Sequence, residues 1–296
     1  MVYKTIKTSQ GLQAFSTYTR SARSSVDWGT GRVTNYATTI NLSALVEYPV
    51  GLPAGTAVPL IVCPSAGGFE LINQVNTMDG YAAFVEAGAV LMSPFYRASI
   101  NNPWSDGDVP SDTAKKKAIR AARMDYRRFL EYVRQYPSRV SPNYIIDPRR
   151  IFSLGWSSGG QQGVLFAAEN PDALCGLVVV SGGMGLDGLG AQHTADLRSF
   201  ATEADLTPGN PPVLMFGNLS DATIGPPWMA ALKAVVDADP ASTALTQVGT
   251  GHADIGALND VTYNGTLMTC FEAARQWMNE QMGGLSARMP SKFTWS

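Results

Sequence analysis

From residue 58 onward one pattern recurs and decides what the chain can fold into: a short, mainly apolar run, a break at Gly, Pro, Ser or Asn, then in most cases a segment of helical periodicity. The runs are Val58 to Cys63, Ala89 to Met92, Ile151 to Leu154, Leu177 to Val180, Val213 to Phe216 and Ala244 to Val248. A strand with one wet face alternates apolar and polar residues. A strand that is apolar at every position has both faces covered, which is the condition of a parallel sheet packed between helices. Helical segments fit Ser111 to Tyr136, Gly160 to Glu169, Pro227 to Asp239 and Asp260 to Met282, the last with Leu267, Phe271, Ala274 and Met278 as its apolar stripe. The expected class is α/β, a doubly wound, mostly parallel sheet with helices on both faces.

The first ~55 residues differ. They are rich in Ser and Thr, and Thr39 to Leu45 alternates with period 2, which predicts antiparallel strands at the sheet edge. No repeat or low-complexity tract divides the chain, so residues 1–296 read as one domain. Two long stretches interrupt the rhythm, Arg97 to Pro110 and Gly182 to Pro211, and loops of this length usually border a site.

Composition excludes several classes. With 45% hydrophobic and 16% charged residues the chain is globular, and 22 basic against 24 acidic residues give no general attraction to nucleic acid or anionic membrane. Lys115, Lys116, Lys117, Arg120, Arg123, Arg127, Arg128 and Arg134 crowd one helix against Asp125 and Glu131, which reads as a solvated face or as a patch for an anionic polymer. Cys63, Cys175 and Cys270 are odd in number and far apart, so they form no closed disulfide framework, and with His193 and His252 they do not make a structural zinc set. The opening M-V-Y-K-T-I-K-T-S-Q lacks the apolar core of a secretory signal, and no run reaches the length of a membrane span. A soluble, cytoplasmic protein is expected, or a secreted one if a leader has been removed. Oligomeric state is not legible.

Chemistry enters at Gly155-Trp156-Ser157-Ser158-Gly159, a G-x-S-x-G sequence between the apolar run Ile151 to Leu154 and the helix from Gly160. In that context the serine sits on a tight strand-to-helix turn, and small flanking residues allow close backbone approach. The turn lifts Oγ off the sheet and aims a helix N-terminus at charge developing beside it. Ser157 is the expected nucleophile.

A serine needs a base, and the base needs an orienting acid. Of the two histidines, His252 follows the last strand and can return over the sheet edge, whereas His193 comes one or two crossovers too early. The acid should leave the strand between nucleophile and base. Asp221 is the only carboxylate in the exit Gly217 to Thr223, and it lies 31 residues before His252. Asp254 and Asp260 are rivals, but Asp254 is so near His252 that it suits a cap for the next segment. The order Ser157, Asp221, His252 is that of one hydrolase fold. Oxyanion donors are expected from the amide of Ser158 and from the turn Pro64 to Phe69, with Ala66 and Gly67 as the choices. Trp156, Phe69 and Trp228 are candidate substrate walls, with Trp104 nearby.

These features together resemble the α/β-hydrolase fold over roughly Ala57 to Met282. The lead-in Ile146-Asp147-Pro148-Arg149-Arg150-Ile151 and the G-W-S-S-G-G sequence are similar to those of polyhydroxybutyrate depolymerases, feruloyl esterases, dienelactone-hydrolase-like esterases and cutinase-like polyester hydrolases. The resemblance implies an eight-stranded, mostly parallel sheet, an acyl-enzyme at Ser157, proton transfer by His252, orientation by Asp221, and no cofactor or metal. Ser65-Ala66-Gly67-Gly68 departs from the His-Gly-Gly-Gly of hormone-sensitive-lipase relatives, and no separate lid is evident. The reading is a serine carboxylic-ester hydrolase that removes a small acyl group from a sugar or aryl ester. Its alternatives are a peptidase or lactone hydrolase of the same fold, or a binding protein that keeps the fold without turnover.

Overall fold

A computed structural model describes residues 13–27, 32–49, 51–66, 81–94, 125–127, 129–139, 143–183, 206, 211–224 and 226–286. In chain order the elements are β1 (Gln13–Asp27), β2 (Arg32–Glu47), β3 (Ala57–Val62), α1 (Ala82–Glu86), β4 (Val90–Pro94) and α2, helical at 125–127 and 129–135. They continue as β5 (Ile145–Trp156), α3 (Ser158–Glu169), β6 (Gly176–Val180), β7 (Val213–Asn218), α4 (Pro226–Asp237) and β8 (Thr243–Gln247). A small hairpin, β9 (Val261–Tyr263) and β10 (Thr266–Met268), precedes the last helix, α5 (Cys270–Ser286).

Eight strands form one sheet in the order β1-β2-β4-β3-β5-β6-β7-β8. β1 pairs with β2 and β2 with β4 antiparallel, and every neighbour pair from β4 through β3 to β8 is parallel. The N-terminal strands thus occupy one edge, as their alternation predicts.

The uniformly apolar runs divide their side chains between two cores. Leu177 and Val179 of β6 and Val213 and Met215 of β7 enter a cluster with Phe129 of α2, Phe166 of α3 and Leu232 of α4. Val178, Val180, Leu214 and Phe216 enter the other, with Phe84 of α1 and Trp277 and Met278 of α5. Each fully buried Val or Leu contributes about 1.5–3 kcal/mol relative to exposure. Helices cover both faces because both faces are apolar.

The C-terminal segment corrects one expectation. The predicted helix from Asp260 begins only at Cys270, and the residues before it form the β9–β10 hairpin. The turn is Asn264-Gly265, with φ of 49° and 78°, the left-handed pair that a two-residue hairpin demands and that Asn-Gly supplies at little cost. Leu267, expected in the helix stripe, is 69% exposed on β10. Phe271, Ala274 and Met278 do lie on α5 and pack on the second core.

β5 also runs longer than its apolar core suggests, from Ile145 through the Ile146 to Ile151 lead-in. A register irregularity opposite Val58 to Leu60 accommodates Pro148, which cannot donate to a ladder. Asp147, almost fully buried, holds both neighbours there: Arg149 Nε at 3.2 Å and Arg150 Nε at 3.0 Å, and Arg150 also donates to the Ala57 carbonyl. On α2, Arg127 pairs with Glu131 and Arg134 donates to the carbonyls of Asp172 and Ala173, so two of the helix's cations are engaged within the protein. Among the described residues no helix is long and apolar enough to cross a membrane, and the three cysteines are free thiols.

Candidate active site

Three adjacent parallel strands, β5, β6 and β7, deliver their carboxyl ends side by side, the edge at which open α/β sheets bind ligands. Ser157 follows β5 directly, with φ 55° and ψ −128°. A side chain in that region costs about 1–3 kcal/mol and persists only where surroundings enforce it. They do so here. The Ser157 amide donates to the Val180 carbonyl at 3.0 Å, and the Ser157 carbonyl accepts from Gln161 in the first turn of α3. Ser157 is half-buried, which leaves its hydroxyl reachable.

The glycines of the turn are steric requirements. A Cβ on Gly155 would stand 2.3 Å from the Gly159 carbonyl carbon, and one on Gly159 would stand 2.1 Å from the Pro64 carbonyl oxygen. A Cβ on Gly160 would lie 2.8 Å from the Gly155 carbonyl oxygen. The Gly159 approach brings the segment after β3, Pro64-Ser65-Ala66, against the start of α3. Ser65 is buried and donates to the Ala66 carbonyl at 3.1 Å. Ser158 is the first residue of α3 and is buried. Gly67 and Phe69 lie outside the described residues, as do His193, Trp104 and nearly all of 97–110 and 182–211.

Asp221 follows β7 and is completely buried. Its Oδ1 accepts from the amides of Thr223 at 2.8 Å and Ile224 at 3.2 Å, which fixes the carboxylate. Its Oδ2 lies 2.7 Å from His252 Nδ1. An ionised carboxylate only accepts, so Nδ1 carries the proton and Nε2 presents a lone pair. The His252 side chain is 18% exposed. Its ring rests against the indole of Trp156, centroids 5.3 Å apart and planes 31° apart, so the imidazole lies beside the residue that precedes Ser157. Trp156, a candidate substrate wall, also has its ring against His252. Trp228 lies on α4 and packs beside the first core, its backbone 2.9 Å from where a Cβ of Gly183 would be.

The segment carrying His252 is shaped by Gly249 and Gly251, both left-handed with φ 77° and 61°. Gln247 closes its ends: Nε2 donates to the Asn259 carbonyl and Oε1 accepts the Asn259 amide, each at 3.1 Å. Asp254 caps the following turn through the amides of Gly256 and Ala257, as its closeness to His252 suggested, and Asp260 is exposed. The sequence reading passed over Gln247 and Ser181. Ser181 follows β6, is completely buried and donates its hydroxyl to the Ala253 carbonyl at 2.6 Å. A serine before Gly-Gly at a strand end was the sole signal available.

Solved structures share this architecture. A sugar hydrolase from Lactococcus lactis matches with a TM-score of 0.61 at 15% identity, over 84% of this chain and 98% of its own. Esterase 2 of Thermogutta terrifontis with propionate bound matches at 0.56 and 16%, over 92% and 97%. The acetyl ester-xyloside bifunctional hydrolase of Caldicellulosiruptor lactoaceticus matches at 0.55 and 14%, over 84% and 88%. The fold is that of the α/β-hydrolases. In sequence the chain is similar to NocK of Nocardia uniformis subsp. tsuyamanensis, which carries an esterase assignment, at 23% identity over 60% of the chain. The match takes in 46% of NocK, about half its length. No protein-family profile matches.

Proposed function

We propose that this α/β-hydrolase is a serine carboxylic-ester hydrolase whose reaction passes through an acyl-enzyme on Ser157. The observation that carries the reading is the 2.7 Å contact of His252 Nδ1 with buried Asp221, on an imidazole that lies against the residue preceding a strained, half-buried serine. A fold alone does not specify chemistry; this arrangement is what supports the reading.

In the first half-reaction Ser157 Oγ bonds to the ester carbonyl carbon as its proton passes to His252 Nε2. The resulting imidazolium is stabilised by Asp221, and the C–O bond to the alcohol breaks as that proton moves to the leaving oxygen. In the second, His252 takes a proton from water, the hydroxide oxygen bonds to the acyl carbon, and the acid leaves with Ser157 reprotonated. The Ser158 amide at the α3 N-terminus and an amide from Ala66 or Gly67 stabilise the oxyanion. Ser157 and Ser158 are fixed by the elbow, and the Pro64 to Ala66 segment lies against Gly159.

The substrate is a small acyl ester of a sugar or aryl alcohol, hydrolysed by one continuous domain. Support comes from likenesses to an acetyl ester-xyloside hydrolase, to a sugar hydrolase, and to an esterase known with propionate and with butyrate bound. Phe69 and Trp228 are the candidate contacts for its acyl or alcohol group.

The test is hydrolysis of p-nitrophenyl acetate, butyrate and octanoate beside acetylated xylo-oligosaccharides, by wild type and Ser157→Ala. Turnover that favours acetate and is lost in the variant is expected. Paraoxon, which phosphorylates Thermogutta terrifontis esterase 2, is expected to inactivate this protein and to place a diethylphosphoryl group on the peptide containing Ser157. Equal, slow hydrolysis by wild type and variant would overturn the reading in favour of a binding protein, and peptide amides cleaved as fast as esters would make it a peptidase.

A further inference from the structure

We propose that Ser181 is a positioning residue for His252, a role that rests on the reading of His252 as the base. Ser181 has φ 43°, a left-handed value that favours glycine and carries a cost for any side chain. Glycines occupy the next two positions, 182 and 183, so a serine at 181 keeps a strained backbone for the sake of its hydroxyl.

That hydroxyl makes one bond across 72 residues, to the carbonyl of Ala253, the residue after His252. At 2.6 Å and with the residue wholly buried, it meets no competing water. The main chain around it is tied to the other two members of the site. The Ser181 amide donates to the Phe216 carbonyl of β7, the strand that leads to Asp221, and the preceding Val180 carbonyl accepts the amide of Ser157. Residues 180 and 181 therefore bond to the elbow, to the acid-bearing strand and to the base-bearing segment. The unit has little room to relax, since a Cβ on Gly182 would lie 2.7 Å from Val179 Cγ1 and 3.3 Å from the Ser157 carbonyl oxygen.

The imidazole is then held from three sides: Asp221 at Nδ1, Trp156 against the ring, and Ser181 through the adjoining peptide. Asp221 fixes rotation about the ring, but not where the backbone delivers it. Proton transfer from a serine needs Nε2 within hydrogen-bond reach of Oγ, and displacements near 1 Å cost rate steeply. The Ala253 bond supplies that restraint without touching substrate.

The test compares Ser181→Ala, which removes only the hydroxyl and keeps a side chain at φ 43°, with Ser181→Gly, which removes the whole side chain and relieves that strain, and repeats both in a His252→Ala background. With p-nitrophenyl acetate, kcat is expected to fall about tenfold in each single variant while KM stays within about twofold, the pattern of a lost transition-state arrangement. The thermal midpoint of Ser181→Gly should stay near that of wild type. In His252→Ala protein the same substitutions should leave the residual rate unchanged. Wild-type kcat in Ser181→Gly overturns the proposal, and so does an equal fractional loss with and without His252, the mark of a general structural role. If His252→Ala alone keeps full turnover, the assignment of the base is what fails, and that result is separate from any effect at residue 181.

Discussion

The ring of His252 rests on the indole of Trp156, and the indole N–H, buried, has no hydrogen-bond partner among the described residues. The contact is a tilted ring-on-ring one, with no hydrogen bond from the indole. An aromatic face toward an imidazolium is worth about 0.5–2 kcal/mol, so Trp156→Leu is expected to lower kcat roughly 2- to 30-fold. Trp156→Phe keeps the face and discards an unsatisfied donor, and should retain most of the rate with no loss in thermal midpoint. Steady-state kinetics and calorimetry of both variants check this.

Asp221 accepts from two backbone amides and from His252 while wholly buried. Asp221→Asn offers an amide that reverses the favoured imidazole tautomer, and kcat is expected to fall about 10³- to 10⁴-fold. KM should change little.

How far the sequence disclosed this site depends on what kind of demand each residue meets. Gly155, Gly159 and Gly160 were legible because a backbone that tolerates no Cβ can be met by one residue type. Asp221 and His252 were legible by position, each being the single suitable side chain after its strand. The hairpin was lost because Leu267, Phe271, Ala274 and Met278 keep helical spacing across the start of α5; the competing turn signal, Asn264-Gly265, was the stronger one. Ser181 and Gln247 could not be recovered, since their partners Ala253 and Asn259 meet them only through tertiary folding. Gly67, Phe69 and His193 lie outside the described residues.

Gly159→Ala places a methyl group where only 2.1 Å separates it from the Pro64 carbonyl oxygen. Backbone must move, at a cost of about 1–3 kcal/mol for overpacking. Both sides of that contact belong to the proposed oxyanion site, so the thermal midpoint and kcat should fall together.

Burial alone would raise the Asp147 carboxyl, but the hydrogen bonds of Arg149 and the charges of Arg149 and Arg150 outweigh it and hold it below the usual carboxylate range. A depressed folded-state value means stability present above the unfolded value near ~3.9 and lost as pH falls through the folded one. Asp147→Asn, which strands the mostly buried Arg150, is expected to cost about 3 kcal/mol at neutral pH. In urea unfolding the gap from wild type should shrink below about pH 4.

Burial pushes the Cys63 thiol well up, with the Glu47 carboxylate adding to it, and pushes Cys175 up to about 11 and Cys270 up to about 12. Thiolate is scarce at pH ~8 for such groups. Iodoacetamide at that pH should leave ester hydrolysis intact, while a fluorophosphonate abolishes it; loss of turnover on alkylation would point to a cysteine near the reaction.

The amide pair between Gln247 and Asn259 turns the stretch from Val248 to Leu258 into a closed ring whose anchor points make no use of what it carries. Such a ring is a natural cassette. Exchanged whole with its counterpart from a related protein, it would bring its own histidine on a ready-made frame, and the recipient would differ from its parent in how that histidine is presented rather than in whether the sheet can receive it.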